Sequence, residues 1–332
     1  MHPTSINYSA LTEPTTKEDV AQYKLKYPSQ FGLIAGLLFA GGVFLGIVVF
    51  VSLFLLSSGG GASTTVALVM AFFGLIGVII FFANRGMLRK RAKLYKFANA
   101  NGITTLFDRA DPPYAGMIFS SGHTRKVIEA LSFVDGVEIG NYKYVTGSGR
   151  SRSEHSWGYV RIPLSRQLPH MVLDAKKNNI FKTFTNLPGG FTKDQILQLE
   201  GNFNDYFTLY APKQYEQDAF YVFTPDVMAA LIDFGAQYDV EIIDNNLVLY
   251  SSNHLPIYSK QYLEGLFTVI GKIGSELRDQ TRRYADERVG DKTMNIVAAP
   301  GKRLKPGLTA GAIITFVLIV IWFVGRTILE FM

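Results

Sequence analysis

The sequence predicts a membrane-anchored α+β protein: a mixed, mainly antiparallel β domain with packed helices, flanked by two N-terminal transmembrane helices and one C-terminal. Three observations lead there. Two apolar stretches, Phe31–Leu56 and Thr64–Ala83, run almost free of charge, and a third, Leu308–Val324, closes the 332-residue chain. At a rise of about 1.5 Å per helical residue each is long enough, or nearly so, to cross a hydrocarbon core of about 30 Å. Between the second and third stretches lies a polar, β-rich segment large enough to bury its own core. A mean hydropathy of +0.15 is what three spans averaged with a globular domain would give.

Charge distribution sets the expected topology. The chain carries 33 Lys+Arg and 27 Asp+Glu, but residues 97–300 hold 20 basic and 23 acidic side chains, a balance of −3. The excess basicity sits at Arg85, Arg89, Lys90, Arg91, Lys93 and Lys96 after the second stretch and at Lys302, Arg303 and Lys305 before the third. Basic clusters at span ends face the cytoplasm and meet anionic lipid head groups. The expectation is a multi-pass protein of a bacterial-type cell membrane with its large domain cytoplasmic, an anionic bilayer as partner, and no nucleic acid as ligand. The absence of cysteine excludes disulfides, thiolate metal sites and Cys nucleophiles.

In chain order, residues 1–30 form an N-terminal arm and 31–83 a transmembrane pair (31–56 and 64–83) joined by the uncharged Ser57–Ser63. Gly32/Gly36 and Gly42/Gly46 are small-xxx-small pairs. They have two readings: packing of the first span against the second, or homo-oligomerisation through the first transmembrane helix. No span carries a mid-membrane ionisable residue, which argues against a transport pathway. Residues 85–101 read as a basic juxtamembrane helix stopped at Asn101-Gly102.

The soluble α+β domain spans 102–288. Val137–Thr146, Trp157–Leu164, His170–Asp174, Tyr206–Tyr210 and Ala219–Phe223 are aromatic and β-branched runs that predict strands. Thr224-Pro225-Asp226 predicts a capped helix start. Val240–Ile243 and Leu247–Tyr250 flank Asp244-Asn245-Asn246, which predicts a tight hairpin. From Ser259 to about Arg288 the positions Leu263, Leu266, Phe267, Ile270, Ile273, Leu277 and Tyr284 recur at helical spacing. A linker, 289–307, leads to the transmembrane helix at 308–325, which has an alternative reading as an interfacial helix.

Candidate site residues are few. Gly147–Ser156 (GSGRSRSEHS) connects two predicted strands and is longer than a usual hairpin loop. Gly147 and Gly149 would expose backbone amides, Arg150, Arg152 and His155 would supply donors to an anion, and Trp157 stands beside them. The same segment also reads as a plain solvated loop. His2, His123, His155, His170 and His254 fall in no metal-ligand pattern, and His170/Asp174 share a strand rather than a helix. No GxSxG elbow occurs. The expected catalytic residues, metal ligands and cofactors are therefore none.

One segment adds a resemblance. Leu199-Glu200, Phe203, Phe207–Tyr210, Phe223–Met228 and Leu247–Tyr250, within residues 199–251, resemble the pattern of bacterial membrane proteins of the domain-of-unknown-function 3137 family. That resemblance implies a pair of spans ahead of the domain and lends no activity. It covers about a third of the domain, and its motifs are structural. The expected function is a non-enzymatic interaction or scaffold module with a protein partner, contacted through Gly147–Trp157. The alternatives are a membrane-bound enzyme acting on a lipid or cell-envelope precursor, and lipid-surface sensing through the basic flanks.

Overall fold

The computed structural model describes residues 6–28, 41–42, 46, 48–49, 51, 62–179, 185–307, 316, 319–324 and 326. It divides into two compact units, residues 7–101 and residues 102–332 with 1–6.

In the first unit, helices Ser9–Thr12 and Lys17–Lys26 pack on the helix Ala62–Ala100. Thr16 caps the second of these reciprocally: its hydroxyl accepts from Asp19 N at 3.1 Å, and its own N–H donates to Asp19 Oδ2 at 2.8 Å. Ala92, Leu94, Phe97 and Ala98 of the long helix are buried, and buried Tyr23 lies 6.3 Å from Tyr95. Asn101 closes that helix, its amide donating to Phe97 O at 2.8 Å and to Asn7 O at 2.9 Å.

This unit corrects the membrane reading. Among the described residues no helix is long and apolar enough to cross a membrane, so the predicted transmembrane anchoring and multi-pass localisation are not sustained. The apolar stretch Thr64–Ala83 is the front of a 39-residue helix that runs on through the charged segment Arg85–Lys96. Cations expected at a lipid surface are used inside the unit: Arg91 is buried, Lys93 Nζ donates to Leu11 O at 2.7 Å, and Lys96 pairs with Asp19 at 3.4 Å and Glu13 at 3.5 Å. Arg85, Arg89 and Lys90 are exposed. Most of Phe31–Leu56 and of Leu308–Val324, with Gly32 and Gly36, lies outside the described residues. Gly42 and Gly46 are helical, and a Cβ on either would touch nothing within 4 Å; no close backbone approach to them is found among the described residues.

The second unit is built on an antiparallel sheet of seven strands: β1 (Thr104–Ala110), β2 (His123–Ser132), β3 (Glu138–Thr146), β4 (Ser153–Ala175), β5 (Ile196–Leu197), β6 (Phe207–Tyr210) and β7 (Asp239–Ser251). β4 is its axis. The two strands expected at Trp157–Leu164 and His170–Asp174 are one 23-residue strand. Its N-terminal half pairs with β3, and its C-terminal half with β6. β7 pairs with both halves along the opposite edge. Pro163 and Pro169 sit between the last β3 partner, Arg161, and the first β6 partner, Val172, so a missing N–H interrupts neither ladder.

Asp244-Asn245-Asn246 is not a hairpin turn. Both flanking runs pair with β4, and Asp244 adopts φ 54° at an irregularity inside one continuous strand. An Asp tolerates this φ at a bulge as well as in a turn, so the residues that predict a hairpin do not require one. Ala219–Phe223 is likewise not a strand. Ala219–Val222 belong to helix Glu216–Val222 and Phe223 caps its end, with Ala219 and Val222 buried and Phe220 and Tyr221 exposed, a spacing of three rather than two.

The helix expected from Ser259 runs Lys260–Thr281, and Ser259 Oγ accepts from Tyr262 N at 3.3 Å. It ends seven residues short of Arg288, and Tyr284 is buried beyond its end. Its buried face covers one side of the sheet, with Phe267 5.6 Å from Phe133 and Ile162 beside Gly274. The other side is covered by residues 112–121 and by Leu187, Phe191 and Leu304. There Phe119 meets Tyr142, Tyr159 and Tyr114 edge to face at 4.9, 5.2 and 5.2 Å.

Candidate functional site

The β3–β4 ladder runs unbroken from Glu138↔Arg161 to Thr146↔Ser153, which shortens the predicted loop to the six-residue tip Gly147–Arg152. Gly147 at φ 68° and Gly149 at φ 54° make the reversal, and a Cβ on Gly147 would overlap Ser151 O. Ser151 N donates to Ser148 O at 3.1 Å, and Ser151 Oγ donates to the same carbonyl at 2.9 Å. His123, at the start of β2, ties the tip down: its Nε2 lies 2.9 Å from Gly147 O. A carbonyl only accepts, so Nε2 carries the proton.

Arg150 and Arg152 are on this braced tip, exposed, and their guanidiniums make no hydrogen bond or ion pair among the described residues. The neighbouring cations are all matched: Lys126 with Asp108 at 2.6 Å, Arg125 with Asp111 at 2.7 Å, Lys143 with Glu154 at 2.8 Å. The Lys143 hydrogen bond holds the Glu154 carboxyl below its ordinary range, with Lys143, Arg152 and Lys126 adding their charge. Asp108, Asp111 and Thr124 adopt φ of 50°, 40° and 53° at this end of the sheet, where side chains are rarely accommodated. The remaining two predicted contact residues are not on the tip. His155 is a β4 residue, stacked on Tyr144 at 4.8 Å with Nε2 2.7 Å from Thr146 Oγ1. Trp157 is 5% exposed and packs against Tyr250, so it belongs to the core. Of the second basic flank, Arg303 pairs with Asp244 at 2.8 Å, Lys305 N donates to Gln195 Oε1 at 2.8 Å, and Lys302 is exposed.

Away from the tip, at the far end of the β3–β4 ladder (Glu138↔Arg161) and on β7 opposite Val172, lie polar groups that periodicity alone hid among strand residues. Glu138 on β3, 2% exposed, accepts from Tyr159 and, at 2.8 Å, from Tyr114; Arg161 stands 3.9 Å away and stacks over the Tyr114 ring at 4.9 Å. Glu241 on β7, 1% exposed, accepts from Met117 N at 2.8 Å, from Tyr250, and from His170 Nε2 at 2.7 Å. His170 Nδ1 accepts from Leu304 N at 2.9 Å, so its proton sits on Nε2 and points at Glu241. Burial, then the adjacent carboxylate charge, raises the Tyr159 and Tyr250 hydroxyls well above the usual tyrosine range. These groups hold the covering segment 112–121 to the sheet.

Farther along the same face, Asp174 and Asp239 end β4 and begin β7. Burial pushes Asp174 up to about 6 and Asp239 up to about 7. Among the described residues no group of three or more His, Cys, Asp or Glu is arranged to hold a metal. A surface cleft of about 610 Å³ is lined by Asp218, Tyr221, Arg283, Tyr284, Arg288 and Lys292, among others. Arg288 there is committed to Asp218 at 3.1 Å, Asp286 at 3.2 Å and the Tyr215 ring at 3.9 Å. No protein-family model, curated protein or solved structure matches this chain, so the resemblance to the 3137 family gains no support from comparison.

Proposed function

We propose that this chain is a non-enzymatic binding module whose contact surface is the β3–β4 tip, and that its protein partner presents acidic or phosphorylated side chains there. The observation that carries the reading is the pair of exposed guanidiniums, Arg150 and Arg152, with no hydrogen bond or ion pair among the described residues, on a braced turn where Arg125, Lys126 and Lys143 are each matched. Guanidinium binds carboxylate and phosphate in a fork geometry, each charge-assisted bond contributing about 1.5–3 kcal/mol. A turn already held by Ser151 and His123 loses little freedom on binding.

The test is affinity purification after chemical cross-linking, comparing the wild-type chain with the Arg150→Ala/Arg152→Ala double variant. The expected result is a protein recovered in near-equal amount with wild type and lost from the variant. Equal recovery with both would remove the tip as the contact surface.

A further inference from the structure

The cleft beside Tyr284 is walled by helix Glu216–Val222 on one side and by the chain that follows helix Lys260–Thr281 on the other. Its volume of about 610 Å³ lies within the range of small-molecule sites, about 300–1,000 Å³. The floor is built from groups that satisfy one another. Asp218 Oδ1 accepts from the Tyr284 hydroxyl at 2.6 Å, and its Oδ2 pairs with Arg288 at 3.1 Å. Asp286 accepts from the Tyr215 hydroxyl at 2.6 Å and from Ala298 N at 2.8 Å, and Arg166 of β4 donates to Tyr284 O at 2.7 Å. The chain from Tyr284 to Arg288 is thus held in place although it belongs to no helix or strand.

Other groups on the lining are left over. Arg283, Lys292 and Glu287 are exposed and make no hydrogen bond or ion pair among the described residues. Arg288 is spent on Asp218, Asp286, the Gln214 carbonyl and the Tyr215 ring, so the free charges are two cations and one carboxylate, a balance of +1. Tyr221 is 40% exposed yet pinned at both ends: its hydroxyl donates to Gln280 O at 2.9 Å, and its carbonyl accepts from Gln280 Nε2 at 2.6 Å. Its ring stands 6.0 Å from that of Tyr284. A fixed ring whose hydroxyl is already used offers a contact surface and loses little freedom to a ligand. Exposed Lys and Arg ordinarily end in water; these two instead line one concave space, with a fixed aromatic ring in the same wall.

We propose that this cleft binds a small organic phosphate carrying a planar ring, a ligand of mononucleotide chemistry, with its phosphate at Arg283 and Lys292 and its ring against Tyr221. Guanidinium and ammonium groups hold phosphate oxygens through charge-assisted hydrogen bonds. A planar base presents a π-face that an aromatic side chain stacks on whatever the base. The balance of +1, with Glu287 on the lining, suits a single phosphate better than a polyphosphate. No residue of the cleft belongs to the arginine tip, so binding here is separate from partner contact there.

The test is isothermal titration calorimetry of the full chain with adenosine monophosphate, adenosine, inorganic phosphate and adenosine triphosphate at low ionic strength, with thermal unfolding of each variant alongside. The expected result is one adenosine monophosphate per chain, bound more tightly than any of the other three and weakened by added salt. Arg283→Gln and Lys292→Gln, both at exposed positions, should keep the wild-type Tm and each weaken that binding about 10-fold. Tyr221→Leu should weaken it by a similar factor and leave phosphate binding unchanged. Arg150→Ala/Arg152→Ala should bind adenosine monophosphate as wild type does, so failure of the tip and failure of the cleft are separate results. No heat with adenosine monophosphate at millimolar concentration, or binding unaltered in both Arg283→Gln and Lys292→Gln, would overturn the proposal. Inorganic phosphate bound as tightly as adenosine monophosphate would overturn the placing of a ring at Tyr221.

Discussion

Replacing Glu241 by Gln removes one acceptor from a site where three donors converge. Met117 N–H, the Tyr250 hydroxyl and His170 Nε2–H all point at its two oxygens, and the carboxylate is 1% exposed. A Gln amide has two orientations there. With its nitrogen at the Oε2 position it faces Met117 N–H, a backbone donor that cannot invert. With its nitrogen at the Oε1 position it faces His170 Nε2–H; the imidazole could move its proton to Nδ1, but Nδ1 already accepts from Leu304 N–H. Either orientation opposes at least one buried donor. One lost charge-assisted hydrogen bond at about 1.5–3 kcal/mol and at least one stranded donor at about 1–3 kcal/mol predict a loss of roughly 3–5 kcal/mol. Tyr250→Phe removes a single donor and should cost only about 1–2 kcal/mol. Glu154→Gln at the exposed Lys143 pair should change stability by less than about 1 kcal/mol. The assay is urea unfolding followed by fluorescence of Trp157, which is buried 6.5 Å from the Tyr250 ring, whereas Trp322 is exposed. A Glu241→Gln loss no larger than that of Glu154→Gln would refute the reasoning.

Other outcomes follow from the same structure. Gly116→Ala places a Cβ at φ 138° against the Tyr250 hydroxyl and Glu241; it should destabilise by roughly 2–4 kcal/mol, read by the same unfolding curve. Leu266→Ala opens a cavity on the buried face of the long helix and should cost about 2–5 kcal/mol. The titration of two buried acids should contribute a fall in wild-type stability as pH rises. Asp174 and Asp239 have folded pKa values of about 6 and about 7, above the ordinary 3.8, so the folded state binds more protons than the unfolded chain between these limits. Their contribution is full below about pH 4 and gone above about pH 7; a stability profile rising over that range would contradict it, and Asp239→Asn should flatten it.

Much of the sheet was legible because its strands carry the expected side chains. Tyr142 and Tyr144, or Val160 and Ile162, alternate with polar neighbours. Thr224-Pro225 and Ser259 marked helix starts that the structure has at Pro225–Ala230 and Lys260–Thr281. What failed was the inference from local signals to long-range pairing. The separate runs Trp157–Leu164 and His170–Asp174, and the three turn-forming residues Asp244-Asn245-Asn246, predict breaks in β4 and β7, yet each strand runs on through an irregularity where the β4–β7 register shifts. Phe220 and Tyr221 suggested a strand, but only the buried positions Ala219 and Val222 report the period. The apolar stretches were read as membrane spans from hydropathy alone, which carries no information on where a helix ends or what its charged half packs against. The buried acids were missed for a different reason. Glu138, Asp239 and Glu241 sit one residue from strand cores, where a carboxylate is ordinarily taken as solvent-facing. Their partners, Tyr159, Asn186 and His170, are 21, 53 and 71 residues away. At the hairpin, Arg150 and Arg152 were legible because a glycine-flanked tip exposes whatever it carries, while Trp157 lies inside β4, paired with Tyr142 and buried in the core.

Site-specific photo-crosslinking from Ser148, at the arginine tip, against the same probe at exposed Lys193 tests the central claim most directly. The account predicts one dominant protein adduct from Ser148, diminished by added salt and by Arg150→Glu/Arg152→Glu, and no such adduct from Lys193. The same adduct from both positions, or one from Ser148 indifferent to the two arginines, would contradict it.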